Sequence, residues 1–290
     1  MATTTYAYEL WDVFTDRPLG GNPLAVVLDA RGLDEDTLQA LAREFNLSET
    51  AFVLPSQRAD ARARFFTPAR ELPMAGHPTI GTAFALAGHG TLAGERARLE
   101  LGIGVVGLTL EREGGRLTRV WMDQGRPERL AEVDDRGAVA RALGLEPRDL
   151  VPALPLQVAS AGVPFLLVPV RSLAALGRAR LDLNAIAPFV PADHRAVLVF
   201  AVDGGAAVRA RMFGEALGVV EDPATGSAHG PLGAYLAWHG VIAPGADPVE
   251  VVSRQGVEMG RPSVLHLRVR LDRGEFAVEV GGGAVRLARG

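Results

Sequence analysis

Two stretches decide how this chain is read: "ELPMAGHPTIGTAFALAG", Glu71 to Gly88, and "EDPATGSAHGPLGAYLAWHG", Glu221 to Gly240. In each, Pro stands two residues and Gly five residues after an opening Glu, and a run of mostly apolar and small residues follows. Pro78–Leu86 and Ala228–Trp238 read as helices that are apolar nearly all round, with Gly88 and Gly240 as their stops. A helix without a polar face is buried on every side. In a strand-rich chain that predicts a sheet wrapped around a central helix, and it predicts it twice.

The rest of the chain extends the repetition. "GNPLAVVL" at Gly21 is matched by "GVPFLLVP" at Gly162, "AFVLP" at Ala51 by "AVLVFAV" at Ala196, and "ARFF" at Ala63 by "ARMF" at Ala210. Gly162 lies 141 residues after Gly21 and Gly226 lies 150 after Gly76, a drift that a few loop insertions explain. A period this long is not a solenoid repeat. It predicts two similar α+β domains, 1–125 and 126–290, each a mixed sheet or barrel around a buried helix, with the last strand free to pack back on the first domain. Apolar and alternating runs mark further strands, among them Val26–Leu28, Ala51–Leu54, Leu108–Glu111, Val120–Met122, Phe165–Val168, Val249–Ser253 and Val264–Arg270. "DEDTLQALAREF", Asp34–Phe45, reads as an amphipathic helix with an acidic start. Asp123–Gly137, rich in charge and turn residues, reads as the linker, and "GGG" at Gly281–Gly283 as a hairpin-type turn.

Composition excludes several chemistries. The 290 residues contain no cysteine, so disulfides, thiolate catalysis and cysteine metal sites are ruled out. They contain no lysine either, since all 30 basic residues are arginine, which rules out a Schiff-base lysine. A net charge of −4 offers nothing to nucleic acid or an anionic membrane. No apolar run reaches the roughly 18–20 residues that span a bilayer. The start, "MATTTYAYELWDVF", lacks the basic-then-apolar pattern of a signal peptide, so a cytoplasmic protein is expected. The six histidines (His77, His89, His194, His229, His239 and His266) show no metal-ligand spacing, and neither a metal nor a cofactor is expected. "GIGVVG", Gly102–Gly107, lacks the dinucleotide fingerprint and reads as a strand turn. Trp11 and Trp121 suit either a dimer interface or the core.

The two helix starts are the candidate site. A helix N-terminus presents unpaired N–H groups and partial positive charge. Gly76 and Gly226 let a ligand approach the backbone, His77 and Ser227 stand near the caps, and Pro78 suits the first helical position. Two such ends facing one another would bind a carboxylate or an enolate-like charge. Glu49, in "FNLSETAFVLP", sits where a helix gives way to an apolar strand. Its neighbours Leu47, Phe52 and Val53 are expected to raise its pKa toward that of a useful base, the alternative being an ordinary exposed turn residue. Asp222, four residues before Gly226, is placed either to handle a proton or to cap the helix.

Together "GGNPLAVV", "NLSETAFV", "FFTPARELPMAGHPTIG", "EDPATGSA" and "QGVEMGRPS" resemble, in order from Asp12 to Ser263, the PhzF-like phenazine biosynthesis isomerases, which share the diaminopimelate epimerase fold. The epimerase's two cysteines correspond to Ala75 and Ala224 here, so a two-thiol mechanism is impossible. The resemblance implies Glu49 as base, His77, Asp222 and Ser227 as its companions, and Gly76, Gly226 and Ser227 as substrate-binding positions. It also implies a homodimer, and a cofactor-independent isomerase that shifts a proton on a small carboxylate-bearing substrate. A binding protein that kept the double anion site, or racemase or lyase chemistry on the same fold, are the competing readings.

Overall fold

The computed structural model describes residues 5–187, 196–214 and 219–290. Two compact units emerge: residues 1–123 with 281–290, and residues 124–280. The first therefore recovers the chain's last strand.

The first unit contains β1 (Tyr8–Val13), β2 (Asn22–Val27), α1 (Glu35–Phe45), β3 (Glu49–Leu54), β4 (Ala61–Phe66), β5 (Glu71–Leu72), α2 (Gly76–Gly88), β6 (Arg96–Leu101), β7 (Gly104–Glu113) and β8 (Arg116–Asp123). The second contains β9 (Glu128–Glu132), α3 (Arg136–Ala142), β10 (Gln157–Ser160), β11 (Pro164–Pro169), α4 (Leu173–Arg178), α5 (Leu183–Ile186), β12 (Val197–Val202), β13 (Ala207–Gly214), β14 (Val219–Asp222), α6 (Gly226–Trp238), β15 (Val249–Gln255) and β16 (Ser263–Asp272). β17 (Glu275–Gly282) starts in the second unit and its last two residues belong to the first, where β18 (Ala284–Arg289) pairs with β1.

The strand pairings repeat. In the first unit β1 and β2 are antiparallel, β2 and β3 parallel, β3 and β4 antiparallel, and β4 pairs antiparallel with β5 and parallel with β6. In the second, β10 and β11 are antiparallel, β11 and β12 parallel, β12 and β13 antiparallel, and β13 pairs antiparallel with β14 and parallel with β15. Parallel neighbours need a crossover. In the first unit α1 and α2 supply the two crossovers, and in the second α4 with α5, then α6, do so.

α2 is buried from Gly76 to Leu86 and packs against β1, β2, β3, β4, β8 and β18. α6 is buried over nearly its whole length and packs against β10, β11 and β16. α1 is amphipathic. Asp34 caps it by accepting from Thr37 N at 2.8 Å, and Leu38 and Ala42 seat on Val27, Phe52 and Phe66. Trp11 and Trp121 are both buried in the first unit.

The opening Glu of each repeated stretch has a structural duty. Arg64 Nε and Nη2 reach the two carboxylate oxygens of Glu71 at 2.7 and 2.6 Å, and the guanidinium lies 5.1 Å from the Phe66 ring centre. Arg211 does the same to Glu221 at 2.8 and 2.9 Å, 4.9 Å from the Phe213 ring. The "ARFF" and "ARMF" strands thus clamp the short strands that lead into the two buried helices. A two-pronged guanidinium–carboxylate pair fixes orientation as well as distance.

Several expectations change. The 123–137 stretch is no free linker, because Glu128–Glu132 forms β9 against β10 through backbone bonds while its side chains stay exposed. Gly281–Gly283 is no hairpin turn, because only Gly283 separates β17 from β18. A side chain at Gly281 would meet Trp121 at 2.6 Å, and one at Gly282 would meet Phe14 at 2.3 Å, so close packing explains those glycines. Ala75 and Thr225 are the cap positions, so Gly76 and Gly226 open the helices and Pro78 is third. Gly88 remains helical, with Gly90 taking the left-handed conformation at φ 77°; after α6 that role does fall to Gly240 at φ 68°.

The two clamps differ in burial. Arg211 is 3% exposed, whereas Arg64 is 18% exposed and also reaches Glu35 at 3.1 Å. Glu221→Gln, which removes the counter-charge of a buried guanidinium, is expected to cost about 3–5 kcal/mol. Glu71→Gln is expected to cost about 1 kcal/mol. Urea unfolding of the two variants checks this, and equal losses would contradict it.

Candidate active site

In the first unit, Glu49 is the first residue of β3 and pairs with Leu24 in the parallel β2–β3 ladder. Asn22 opens β2, so both residues emerge at the same end of the sheet, where α2 begins. His77, the second residue of α2, stands between them. Its Nδ1 lies 3.2 Å from the Asn22 side-chain amide and its Nε2 lies 3.4 Å from Glu49 Oε2.

His77 is buried, and burial pushes its pKa down from 6.5 to about 3, against the weaker opposing effect of a hydrogen bond to the Pro23 carbonyl. Loss of hydration disfavours the imidazolium, and a helix N-terminus disfavours it further. The Glu49 contact is therefore one between a carboxyl group and a neutral imidazole, a pair able to share or pass a proton without being locked as an ion pair.

In the second unit, the turn before α6 is held by side chains. Thr225 Oγ1 donates to Asp222 Oδ2 at 2.5 Å. Gln255 Nε2 donates to the Asp222 carbonyl at 2.6 Å and to Thr225 Oγ1 at 3.0 Å, while Gln255 Oε1 accepts from Thr225 N at 3.2 Å. Ser227, the second residue of α6, is partly exposed beside the buried Gly226. One turn further on, His229 contacts the Thr225 carbonyl through Nδ1 at 2.8 Å and Ser253 Oγ through Nε2 at 2.8 Å. A carbonyl only accepts, so Nδ1 carries the proton and the serine hydroxyl donates to Nε2. Burial pushes the His229 pKa down to about 4, and the Thr225 bond opposes this in part.

Of the residues picked out from the sequence, Glu49, Gly76 and His77 thus gather in the first unit, and Asp222, Gly226 and Ser227 in the second. Asn22, Thr225 and Gln255 were passed over, although each lies within a stretch used for the resemblance. Asn22 carried one signal, a polar residue inside the largely apolar "GGNPLAVV". His194 lies outside the described residues.

The duplicated α+β fold that carries these two helix starts has known relatives. The phenazine biosynthesis-like (PhzC–PhzF) family model matches residues 11–290. The trans-2,3-dihydro-3-hydroxyanthranilate isomerase of Pseudomonas chlororaphis is 41% identical over 98% of this chain and 98% of its own. An uncharacterized isomerase of Mesorhizobium japonicum is likewise 41% identical, over 99% and 98%. A solved PhzF-family protein of Bacillus anthracis superposes with a TM-score of 0.92 at 29% identity, covering 99% of each chain. The chain belongs to the phenazine biosynthesis-like family and is an isomerase of the PhzF type.

Two histidines kept neutral by burial carry a pH signature. Their folded pKa values lie below the ordinary 6.5, so the unfolded chain binds more protons as pH falls. Their contribution to stability is complete above about pH 6.5. It is lost as pH drops through 6.5 toward 4 for His229 and toward 3 for His77. A fall on the order of a few kcal/mol between pH 7.5 and 4.5 is expected in urea titrations, with a shallower fall in His229→Gln. A His229→Gln curve parallel to that of the parent protein would refute the assignment.

Proposed function

We propose that this isomerase shifts a proton, without a cofactor, on a small carboxylate-bearing substrate recognised by the helix starts. The observation that carries the reading is the Glu49 carboxyl group 3.4 Å from the buried, neutral imidazole of His77 at the first turn of α2. A neutral imidazole beside the carboxyl group can exchange a proton with it without acting as a fixed counter-ion.

In this reading Glu49 takes a proton from a carbon next to a conjugated system. The C–H electron pair spreads into that system, and Glu49 returns the proton at another carbon. One C–H bond breaks and one forms, the formula is unchanged, and no oxidant or reductant is consumed. The N–H groups at Gly76 and His77, and those at Gly226 and Ser227 with the Ser227 hydroxyl, suit a carboxylate or a developing negative charge. His77 and Asp222 orient the substrate and relay charge. The absence of cysteine and lysine fits a carboxylate base. The 41%-identical relative named for trans-2,3-dihydro-3-hydroxyanthranilate makes that cyclic carboxylate the first substrate to try. The family resemblance also supports a homodimer.

Two variants test this reading. Glu49→Gln should abolish uptake of solvent deuterium into substrate while leaving binding largely intact; full exchange in that variant would eliminate the base. Ser227→Ala should weaken carboxylate binding by about 1–3 kcal/mol, the value of a charge-assisted hydrogen bond. An unchanged dissociation constant, measured by calorimetry, would count against the anion site.

A further inference from the structure

The "RQGVEMGRPS" stretch, Arg254–Ser263, reads from sequence equally as a tight turn near the site or as a plain turn between strands, and its glutamine reaches back more than thirty residues to the Asp222 turn. All three contacts of the Gln255 side chain go to that turn, and Gln255 is fully buried. The chemistry of the partners fixes the orientation of its amide. The atom beside the Asp222 carbonyl must be the NH2 group, and the atom beside Thr225 N–H must be the oxygen.

That orientation has a consequence one bond further on. Thr225 Oγ1 accepts from Gln255 Nε2, so its single proton is directed to Asp222 Oδ2, 2.5 Å away. The three groups form one directed chain: amide N–H to hydroxyl, hydroxyl O–H to carboxylate. Bonds in such chains polarise and strengthen one another.

The backbone beside Gln255 is built to press against the same turn. Gly256 takes φ 72°, and a side chain there would lie 2.6 Å from the Pro223 carbonyl and 2.4 Å from the Arg261 carbonyl. Thr225 is buried and its carbonyl is also occupied by His229. The turn is therefore gripped at Asp222, Pro223 and Thr225.

We infer that Gln255 is a positioning residue for Asp222, acting through the Thr225 hydroxyl to hold the carboxylate in one orientation. The inference rests on the proposed role of Asp222 in the isomerisation. Neither Gln255 nor Thr225 needs to touch the substrate.

The test uses near-isosteric variants of the full chain, with trans-2,3-dihydro-3-hydroxyanthranilate as substrate. Gln255→Met removes the donor and Thr225→Val removes the relay. Each is expected to lower kcat about 10- to 100-fold, the scale of a small misplacement, with KM changed by less. Thr225→Ser keeps the hydroxyl and should restore most of kcat. The double variant Gln255→Met/Thr225→Val should be no slower than the slower single one, because both break the same chain.

Additive losses, or Thr225→Ser as slow as Thr225→Val, would overturn the inference. If Asp222→Asn retains full activity, the role proposed for Asp222 is wrong. If Asp222→Asn is inactive while folded Gln255→Met and Thr225→Val match the parent protein, only the positioning role fails. A crystal structure of Gln255→Met reads the device without substrate. The Thr225 hydroxyl is expected to leave Asp222 Oδ2, and an unchanged contact would overturn the inference.

Discussion

The enclosure of α2 on every side by its own sheet is the constraint from which the first unit's chemistry follows. A helix with no polar face has to be surrounded, and only its ends can meet solvent or ligand. The parallel β2–β3 ladder then settles what meets the N-terminal end. Leu24 pairs with Glu49, so Asn22 and Glu49 emerge together where α2 starts. His77 is carried into that dry corner by the helix, and loss of hydration makes its imidazole neutral. The same burial that stabilises the fold thus sets the protonation state of the group facing the proposed base.

The second unit repeats the frame and changes the furniture. The same sequence of antiparallel and parallel pairings surrounds α6, and the arginine clamp on the lead-in strand is kept almost atom for atom in Arg64–Glu71 and Arg211–Glu221. Thr79 bonds the carbonyl of the cap residue Ala75, and His229 bonds the carbonyl of the cap residue Thr225, each four residues back. Where the first unit places a carboxyl group against an imidazole, the second places Asp222 in a directed chain from Gln255 through Thr225. What is duplicated is the architecture of a helix start, and what has diverged is the chemistry mounted on it.

Much of this was legible in the chain itself. The two Glu-x-Pro-x-x-Gly stretches gave away the enclosed helices because all-round apolarity has one structural solution. The alignment of "ARFF" with "ARMF" gave away the duplication, though not that its arginines grip the opening glutamates, since that pairing appears only once β4 and β5 lie side by side. β5 has only two residues, and β18, "AVRLAR", is mostly exposed and lacks the strict alternation of a half-buried strand. β9 hid in a charged stretch for the same reason, because its strand character lies in backbone bonds to β10. Glu49, His77, Asp222 and Ser227 were picked out by residue type and place in a motif. Asn22, Thr225 and Gln255 were not, because their importance lies in contacts that no local spacing encodes.

The central claim is that Glu49 faces an imidazole that stays neutral because it is buried. Nitrogen-15 NMR of the His77 ring, assigned by difference against His77→Gln, measures this directly. The account predicts a neutral ring with no protonation step between about pH 8 and pH 4. A His77 protonation midpoint between about pH 6 and 7 would turn the contact into an ion pair and contradict it.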